Sequence, residues 1–350
     1  MRRLPRLRDA IGGPREAAGA EAQRHLDALT KPPGSLGRLE ELAVRLAALT
    51  GRPPHVSQPV IFTLAADHGV VAEHVSAYPQ SVTAQMVDNF LAGGAAVNVL
   101  ARQAGARVVV ADFGIATPPG ARPGLVVRRV DAGTRNMTLG PAMTREQATV
   151  AIEAGAGLAE DAIGAGADLL ATGEMGIGNT TAASAITAAV TGAGPDEVTG
   201  RGTGVDGAGR TRKVEAVSRA LAVNAPDARD GLDVLSKVGG FEIAGLVGVI
   251  LAGAAHRVPV VLDGFIAGAA ALVAVTLAPD ARHALFAAHR SAEPGHALAL
   301  RHLGLEPYLA LDMRLGEGTG AALFVMLARA AAAIYAEMAT FKSAGVDGPA

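Results

Sequence analysis

Short apolar runs that end in an acidic residue and a glycine recur along the chain. They occupy residues 59–69, 106–114, 124–133, 167–176, 259–265 and 307–318. In the first, second, fourth and fifth runs, no polar alternation interrupts the aliphatic and β-branched residues. Such continuous runs are typical of strands that are buried on both faces of a parallel sheet. The pattern therefore predicts a sheet built largely from these segments.

Ala-rich segments of helical length separate several of these runs, at residues 144–165, 180–191 and 264–277. Strands that alternate with helices predict an α/β fold in which right-handed crossovers cover a mostly parallel sheet. This is the fold class that we expect for the chain.

The two ends of the chain have a different pattern. Residues 21–29 and 36–49 show helical periodicity without a strong strand, and residues 321–341 are also helical in pattern. We therefore expect a small helical domain, made of residues 1–58 plus 321–350, beside a large α/β domain of residues 59–320 that carries the active site.

The acidic residues that close the apolar runs form a second pattern. The carboxyl ends of parallel strands lie at one edge of the sheet, where ligands bind in α/β proteins. We therefore expect these acidic residues to form a rim around a site: Asp67, Asp112, Asp131, Glu174, Asp263 and Glu317. The alternative for any one of them is an ordinary turn, because Asp and Gly are common after strands.

Residues 239–279 are apolar enough to raise the alternative of two membrane helices. Charged residues and a proline interrupt the segment, at Glu242, His256, Arg257, Pro259 and Asp263. The remaining apolar runs are shorter than the roughly 20 residues that a membrane-spanning helix needs. A buried helix–strand–helix unit is therefore the favoured interpretation.

Composition narrows the class of protein. The 350 residues include 50% hydrophobic residues, and the net charge of −2 comes without a basic stripe, which disfavours disorder and nucleic-acid binding. The absence of cysteine excludes disulfides and thiolate metal sites. The basic N-terminus is not followed by the apolar run of a signal peptide, so we expect a soluble cytoplasmic protein.

Two glycine-rich segments are candidates for binding an anion. Residues 173–181 follow a predicted strand and open a predicted helix, where free backbone N–H groups attract phosphate and Asn179 or Thr180 can cap the helix. Residues 200–207 contain a G-x-G-x-x-G pattern but no preceding strand, which disfavours a dinucleotide site. They lead into Arg210, Arg212 and Lys213, which suit a phosphate or, alternatively, a solvated helix face.

Residues 314–320, with the sequence RLGEGTG, are the most informative segment. Glu317 lies between two glycines, so a flat ligand can approach its carboxylate closely. Shelter from water would raise its pKa and suit it to general-base catalysis. The alternative is a polar residue in a glycine-rich turn. No P-loop occurs, and His68, His289 and His296 lack metal-ligand spacing, so no metal site is predicted.

Seven segments, taken in order, closely resemble one enzyme family. They are KPPGSLGRLE (31–40), ADHGV (66–70), GEMGIGNTT (173–181), KVGGFE (237–242), LDGF (262–265), HRSAEPG (289–295) and RLGEGTG (314–320). Together they are similar to the nicotinate-nucleotide–dimethylbenzimidazole phosphoribosyltransferases of cobalamin biosynthesis, over residues 20–340. The resemblance implies a Rossmann-like sheet, a small helical domain from both chain ends and a homodimer.

The resemblance also implies roles for individual residues. Glu317 corresponds to the catalytic base, and Lys213 to the phosphate-binding lysine. The remaining substrate-binding positions that it implies are Glu174, Gly176, Gly178, Gly202, Asp263 and Ser291. Some family members have Ser and Gln in the wall of the base pocket, whereas this chain has Tyr78 and Met86. With Leu315, these residues are expected to form the base pocket, and the departure leaves the preferred base open.

The reaction that the resemblance implies moves the ribose 5-phosphate of nicotinate mononucleotide to 5,6-dimethylbenzimidazole. Nicotinate and α-ribazole 5′-phosphate are the expected products, with inversion at the anomeric carbon. Glu174 is a candidate for stabilising positive charge at that carbon, and no cofactor or metal is required. A nicotinamide-dependent oxidoreductase, a non-enzymatic nucleotide-binding protein and a membrane transporter are the alternatives.

Overall fold

The computed structural model describes residues 3–117, 120 and 122–348 of the chain. Its centre is a six-stranded sheet in which every neighbouring pair is parallel. The strands are β1 (Pro59–Ala66), β2 (Arg107–Gly114), β3 (Leu125–Val127), β4 (Leu169–Met175), β5 (Val260–Leu262) and β6 (Leu285–Ala287). Their spatial order is β3-β2-β1-β4-β5-β6. This is the order of the Rossmann fold, and its reversal point lies between β1 and β4.

The four runs without polar alternation are all strands, as predicted. β1 lies at the centre, and all eight of its residues are buried. The run at 124–133 forms only the short edge strand β3. The run at 307–318, which is not among these four, makes a single bridge, from Leu309 to His289, and is otherwise a loop. The sixth strand is β6, whose three residues are too short a run for the sequence pattern to reveal.

Helices cover the sheet and fill the two ends of the chain. The helices before β4 are α1 (Arg3–Ala10), α2 (Glu16–Asp27), α3 (Arg38–Thr50), α4 (Val82–Ala92), α5 (Ala96–Ala104) and α6 (Arg145–Gly164). Those after β4 are α7 (Asn179–Thr191), α8 (Pro195–Val198), α9 (Gly207–Asn224), α10 (Gly231–Val238), α11 (Phe241–Ala255), α12 (Phe265–Leu277), α13 (Pro294–Leu303), α14 (Thr319–Glu337) and α15 (Phe341–Ala344). Two 3₁₀ turns, Gly69–Glu73 and Pro279–Ala284, complete the regular structure.

The predicted helices occur close to their expected bounds. Thr144 caps α6 by accepting a hydrogen bond from the amide of Gln147, whose side chain in turn accepts one from the Thr144 amide. This reciprocal pair satisfies two backbone donors at the helix start. The apolar segment at 239–279 forms the predicted buried unit, since α11, β5 and α12 follow one another in the core.

The terminal helices contact one another. The ring of His25 in α2 lies 4.4 Å from that of Tyr335 in α14, and Leu29 pairs with Thr340 in an antiparallel bridge. Helix α14 also packs against α3. The division into a small domain of both ends and a large domain of residues 59–320 stays a prediction, and residues 1, 2, 349 and 350 lie outside the described part of the chain.

Among the described residues, α14 is the one helix that is long and apolar enough to cross a membrane. Half of its apolar window is buried inside the protein. A core helix of a soluble protein meets the same criteria of length and composition. The length and composition of α14 are therefore weak evidence for a membrane span.

Candidate active site

A cavity of about 720 Å³ opens at the carboxyl ends of β4, β5 and β6, beside the reversal point of the sheet. Eight of the predicted site residues line it: Tyr78, Met86, Glu174, Gly176, Gly202, Ser291, Leu315 and Glu317. The structure therefore brings together side chains that are up to 239 positions apart in the chain. The other three predicted residues, Gly178, Lys213 and Asp263, lie behind this lining.

Glu317 has an unusual backbone conformation. Its φ angle is 66°, and those of Gly316 and Gly318 are 86° and 100°, so three successive residues are left-handed. Glycine adopts this conformation freely, whereas a side chain there costs on the order of 1 kcal/mol or more. The Glu317 carbonyl accepts a 2.9 Å hydrogen bond from the hydroxyl of Thr63, in the middle of β1. The base loop, defined as residues 314–318, is thereby attached to the centre of the sheet.

The Glu317 carboxylate is sheltered although it lines the cavity. Only 6% of the residue is exposed, and Oε2 has no hydrogen-bond partner among the described residues. Burial raises the pKa of Glu317, while the backbone amide of Val97 opposes the shift. A carboxylate with a raised pKa is a stronger proton acceptor, which suits a general base near neutral pH.

Two further carboxyl groups lie close to Glu317. Burial raises the pKa of Glu174 to about 8, reinforced by the charges of Asp263 and Glu242, although Asn179 donates a hydrogen bond to it. Glu174 is therefore largely protonated at neutral pH. Glu174 can stabilise positive charge at the anomeric carbon only when it is ionised. A cationic centre beside Glu174 would favour that ionised form.

Asp263 supports the base loop from behind. Its carboxylate accepts hydrogen bonds from the amide of Gly318 at 3.2 Å and from that of Ala321 at 2.9 Å. Burial raises the pKa of Asp263 to about 7, although these amides oppose the shift. Since Asp263 does not line the cavity, it is better placed to hold Glu317 than to contact a substrate.

Lys213 lies behind Thr180 and Gly202, which line the cavity. Its side chain is almost completely buried, and Nζ donates a 2.8 Å hydrogen bond to the hydroxyl of Thr180, which lines the cavity. Burial lowers the pKa of Lys213 to about 8, while the nearby charge of Glu293 opposes the shift. A buried ammonium group that forms no salt bridge within the described chain is suited to bind an anion.

The glycine loop, defined as residues 173–178, comprises the last three residues of β4 and the turn that leads into α7. Gly178, with φ of 96°, is the N-cap residue of α7. The prediction that Asn179 or Thr180 caps this helix was therefore wrong. Asn179 instead donates to Glu174, and Thr180 accepts from Lys213. The start of α7 thus faces the cavity with a lysine beside it, as an anion site requires.

The predicted base pocket lies at the side of the cavity formed by α4. Tyr78 precedes this helix, while Val82 and Met86 lie on one face of it, four residues apart. Leu315 approaches from the base loop. Tyr78 and Leu315 are both more than half exposed, so their apolar surfaces are available for an aromatic ligand.

Three further residues of the predicted rim do not line the cavity. Asp112 accepts hydrogen bonds from two amides of its own turn and contacts Arg129, whereas Asp131 is exposed and accepts from Gln147. Asp67 accepts from the amide of Ala116. These three carboxylates lie at the same edge of the sheet, but each is engaged by neighbouring protein groups and none lines the cavity.

Several residues that line the cavity were not predicted, and three of them have ionisable side chains. His289 and Glu293 were visible only within the HRSAEPG segment, and Arg314 only beside the base loop. The ring of His289 lies 6.2 Å from that of His296, so two histidines that are separate in sequence are neighbours in space. Within the described residues, no group of three or more His, Asp or Glu side chains is arranged to hold a metal ion.

Comparison with known proteins gives concordant results. A phosphoribosyltransferase family model matches residues 11–346. A protein from Roseiflexus sp. strain RS-1 is 57% identical over 339 residues, which cover 97% of this chain and 96% of that protein. A protein from Desulforudis audaxviator is 56% identical over 345 residues, with 98% of each chain covered. Both relatives are named nicotinate-nucleotide–dimethylbenzimidazole phosphoribosyltransferase.

A solved structure agrees with these relatives. The crystal structure of CobT from Thermus thermophilus superposes with a TM-score of 0.92 at 52% sequence identity. The match covers 95% of this chain and 100% of that one. At this identity and coverage, the two chains share the fold throughout.

Proposed function

The chain belongs to the nicotinate-nucleotide–dimethylbenzimidazole phosphoribosyltransferase family, and we propose that it moves the ribose 5-phosphate of nicotinate mononucleotide to 5,6-dimethylbenzimidazole. The products are nicotinate and α-ribazole 5′-phosphate. The latter is a precursor of the lower ligand of cobalamin. The names of the relatives support the reaction class, and the cavity supports the assignment of roles.

The observation that carries this proposal is the conformation of Glu317. A glutamate in a left-handed conformation between two glycines is less stable than a glycine would be at the same position. Its carboxylate is buried at additional cost, and it lines the cavity. Such a costly arrangement supports a chemical role, for which proton abstraction is the best fit.

In the proposed reaction, one ring nitrogen of the base attacks the anomeric carbon with its lone pair. The bond from that carbon to nicotinate breaks, and its electron pair returns to the pyridine nitrogen. Glu317 accepts the proton from the second ring nitrogen as positive charge develops there. Attack from the face opposite the leaving group inverts the configuration. The neutral ring of nicotinate is a stable leaving group, so no general acid is needed.

The phosphate group is assigned to the opposite end of the cavity. The start of α7, with Gly176 and Gly178, supplies backbone donors and a favourable dipole. Lys213 and Thr180 add a charged donor and a hydroxyl. Gly202 lies against both side chains, since a Cβ at that position would be 2.5 Å from Nζ of Lys213. Ser291 lines the cavity between this end and the base loop.

The test is to incubate the purified protein with nicotinate mononucleotide and a panel of benzimidazoles and purines, and to identify the products by mass spectrometry. We expect equimolar nicotinate and an α-ribonucleotide of the base. Binding of the nucleotide without release of nicotinate would favour a non-enzymatic binding protein. A change in nicotinamide oxidation state would favour an oxidoreductase instead.

The raised pKa of Glu317 predicts a pH dependence. The base must be ionised, so turnover is lost as the pH falls through the pKa of this group. Because burial raises that pKa, the acid limb of the profile should lie above pH 4.5, the ordinary value for glutamate. The measurement is kcat against pH for the wild type and for Glu317→Gln. An acid limb that is identical in both proteins would assign it to another group.

We also propose that the protein is a cytoplasmic homodimer. Light scattering at micromolar concentration should then give about 70 kDa, twice the chain mass of 35.1 kDa. The family resemblance of the seven segments implies this assembly. A fully active monomer of about 35 kDa would contradict the proposal.

A further inference from the structure

A buried ion pair lies directly beneath the glycine loop at residues 173–178. His68, the second residue after β1, has Nε2 2.6 Å from Oε1 of Glu242 in the first turn of α11. Both side chains are almost fully buried, and neither lines the cavity. Burial disfavours a charged imidazole, but the carboxylates of Glu242 and Asp67 raise the pKa of His68 overall. The short contact holds the two side chains together, and nothing in the proposed chemistry uses them.

Three glycines from two loops pack against this pair. A Cβ on Gly176 would lie 3.2 Å from Oε1 of Glu242 and 3.4 Å from Cδ2 of His68. A Cβ on Gly178 would lie 3.4 Å from Cβ of His68, and one on Gly240 would overlap the imidazole ring. The backbone of the glycine loop thus lies directly on the two side chains.

Stability alone does not explain why two ionisable side chains form a pair in the buried interior. Replacing a buried ion pair by apolar residues of similar volume is often neutral or stabilising, because the charges lose their hydration. An apolar pair of similar volume could fill the space, but it would lack the hydrogen bond that fixes the orientation of the two side chains. The hydrogen bond gives the pair one defined geometry. The glycine loop packs on the pair, so its position is fixed as well.

The glycine loop also needs an external support. The amide of Ile177 donates a 3.1 Å hydrogen bond to the hydroxyl of Thr83 in α4, which fixes one side of the loop. On the other side, the three atoms nearest to a Cβ built on Gly176 belong to the carbonyl of Ala66, to Glu242 and to His68. Displacement of the pair is therefore expected to shift the glycine loop at Gly176.

We propose that His68 and Glu242 are positioning residues for the 5′-phosphate site. By holding Gly176 and Gly178 at one depth, the pair sets the affinity for the nucleotide substrate without contacting it. This inference rests on the proposed function, since the glycine loop has been assigned to the phosphate there. The base pocket lies on α4 and the base loop, so the affinity for the base should not depend on the pair.

The test compares two single variants with their double variant. Glu242→Gln and His68→Gln each leave one member of the pair buried without its charged partner, which should lower thermal stability. Each should raise KM for nicotinate mononucleotide about tenfold to a hundredfold, as small misplacements of binding groups do. KM for the base should stay within about twofold, because its pocket is built from other elements.

The double variant separates positioning from stability. With both charges removed, thermal stability should recover, whereas KM for the nucleotide should stay raised because the defined geometry is lost. Recovery of stability and KM together would overturn the proposal, as would unchanged KM values in the single variants. Asp112→Asn is the matched control, since it removes a buried, charge-paired carboxylate outside the cavity. It should lower stability without changing either KM.

A further variant tests the proposal in case the charge-changing variants do not fold. Gly240→Ala displaces the pair without changing its charges, because a Cβ there would overlap His68 and lie 2.7 Å from Oε2 of Glu242. It should raise the same KM. If none of these variants folds, the pair is a folding element and the proposal is wrong. If the wild type forms no product, the proposed function fails, and calorimetric titration with inorganic phosphate then tests the pair by itself.

Discussion

Replacement of Glu317 by Gln is expected to lower kcat at least about a hundredfold while both substrates still bind. Positioned general bases contribute roughly 10²–10⁴-fold, equivalent to about 2.7–5.4 kcal/mol of activation free energy. Gln keeps the size of the side chain but cannot accept the proton. The measurements are kcat and both KM values, together with circular dichroism to show that the variant is folded.

The same variant should show a second effect, on stability, that is opposite in sign to the loss of turnover. Burial of Glu317 is costly, so the neutral Gln side chain should leave the free energy of unfolding unchanged or raise it. Glu317→Gly should raise it further, because glycine suits φ of 66°. Gain of stability with loss of turnover is the combination expected for a functional residue.

The loss of kcat in Glu317→Gln should also become smaller at high pH, because hydroxide can then remove the proton instead of Glu317. A folded Gln variant with near-normal turnover would show that the proton leaves by another route. In that case the role of base would pass to another group that lines the cavity. Glu293 is the first alternative, since its carboxyl group also lines the cavity.

Replacement of Lys213 by Met is expected to raise KM for nicotinate mononucleotide much more than KM for the base. A hydrogen bond to a charged group contributes about 1.5–3 kcal/mol, which corresponds to roughly 10–150-fold in affinity. Met retains the packing of the lysine stem, so the folded state should survive. Lys213→Ala should give the same effect on KM with a greater loss of stability, because it leaves a cavity.

The matched control is Arg212→Met, which removes an exposed cation one position away that donates a hydrogen bond to the carbonyl of His74. Its KM values should stay close to those of the wild type. Because the pKa of Lys213 is lowered to about 8, the wild type should lose nucleotide affinity as the pH rises through that value. Equal effects of the Lys213 variants on both substrates, or an unchanged pH dependence, would remove Lys213 from the phosphate site.

Long buried strands were the part of the fold that the sequence predicted well. The uninterrupted run of β1 has the same environment on both faces, so its pattern is unambiguous. The three residues of β6 carry too little pattern, and their strand forms only because β5 offers a partner. The run at 307–318 has the composition of a strand, yet it is needed as the loop that presents Glu317.

The candidate site was predictable where a residue type and its local sequence point to one role. Glu317 stands out in this way through its glycine neighbours. Local sequence left Lys213 level with Arg210 and Arg212, and the family resemblance singled it out. His289 and Glu293 were not, since each resembles an ordinary residue until β6 and α13 bring it to the cavity. The role of Asp263 depends on amides of Gly318 and Ala321, more than 50 positions away, which sequence patterns do not encode.

The attachment of Glu317 to the sheet has a consequence for access. Its carbonyl is held by Thr63 of β1, and the next residue by Asp263 after β5, so this side of the cavity cannot swing outward without disrupting the core. The wall at residues 200–206 is held by side chains and not by a central strand. The Gly202 amide donates to Glu293, the Ala77 amide donates to the Thr203 hydroxyl, and Arg314 donates to the Gly202 carbonyl. We therefore expect substrates to enter and products to leave past this wall. Substitutions in residues 200–206 can then change the rates of substrate binding and product release without moving Glu317.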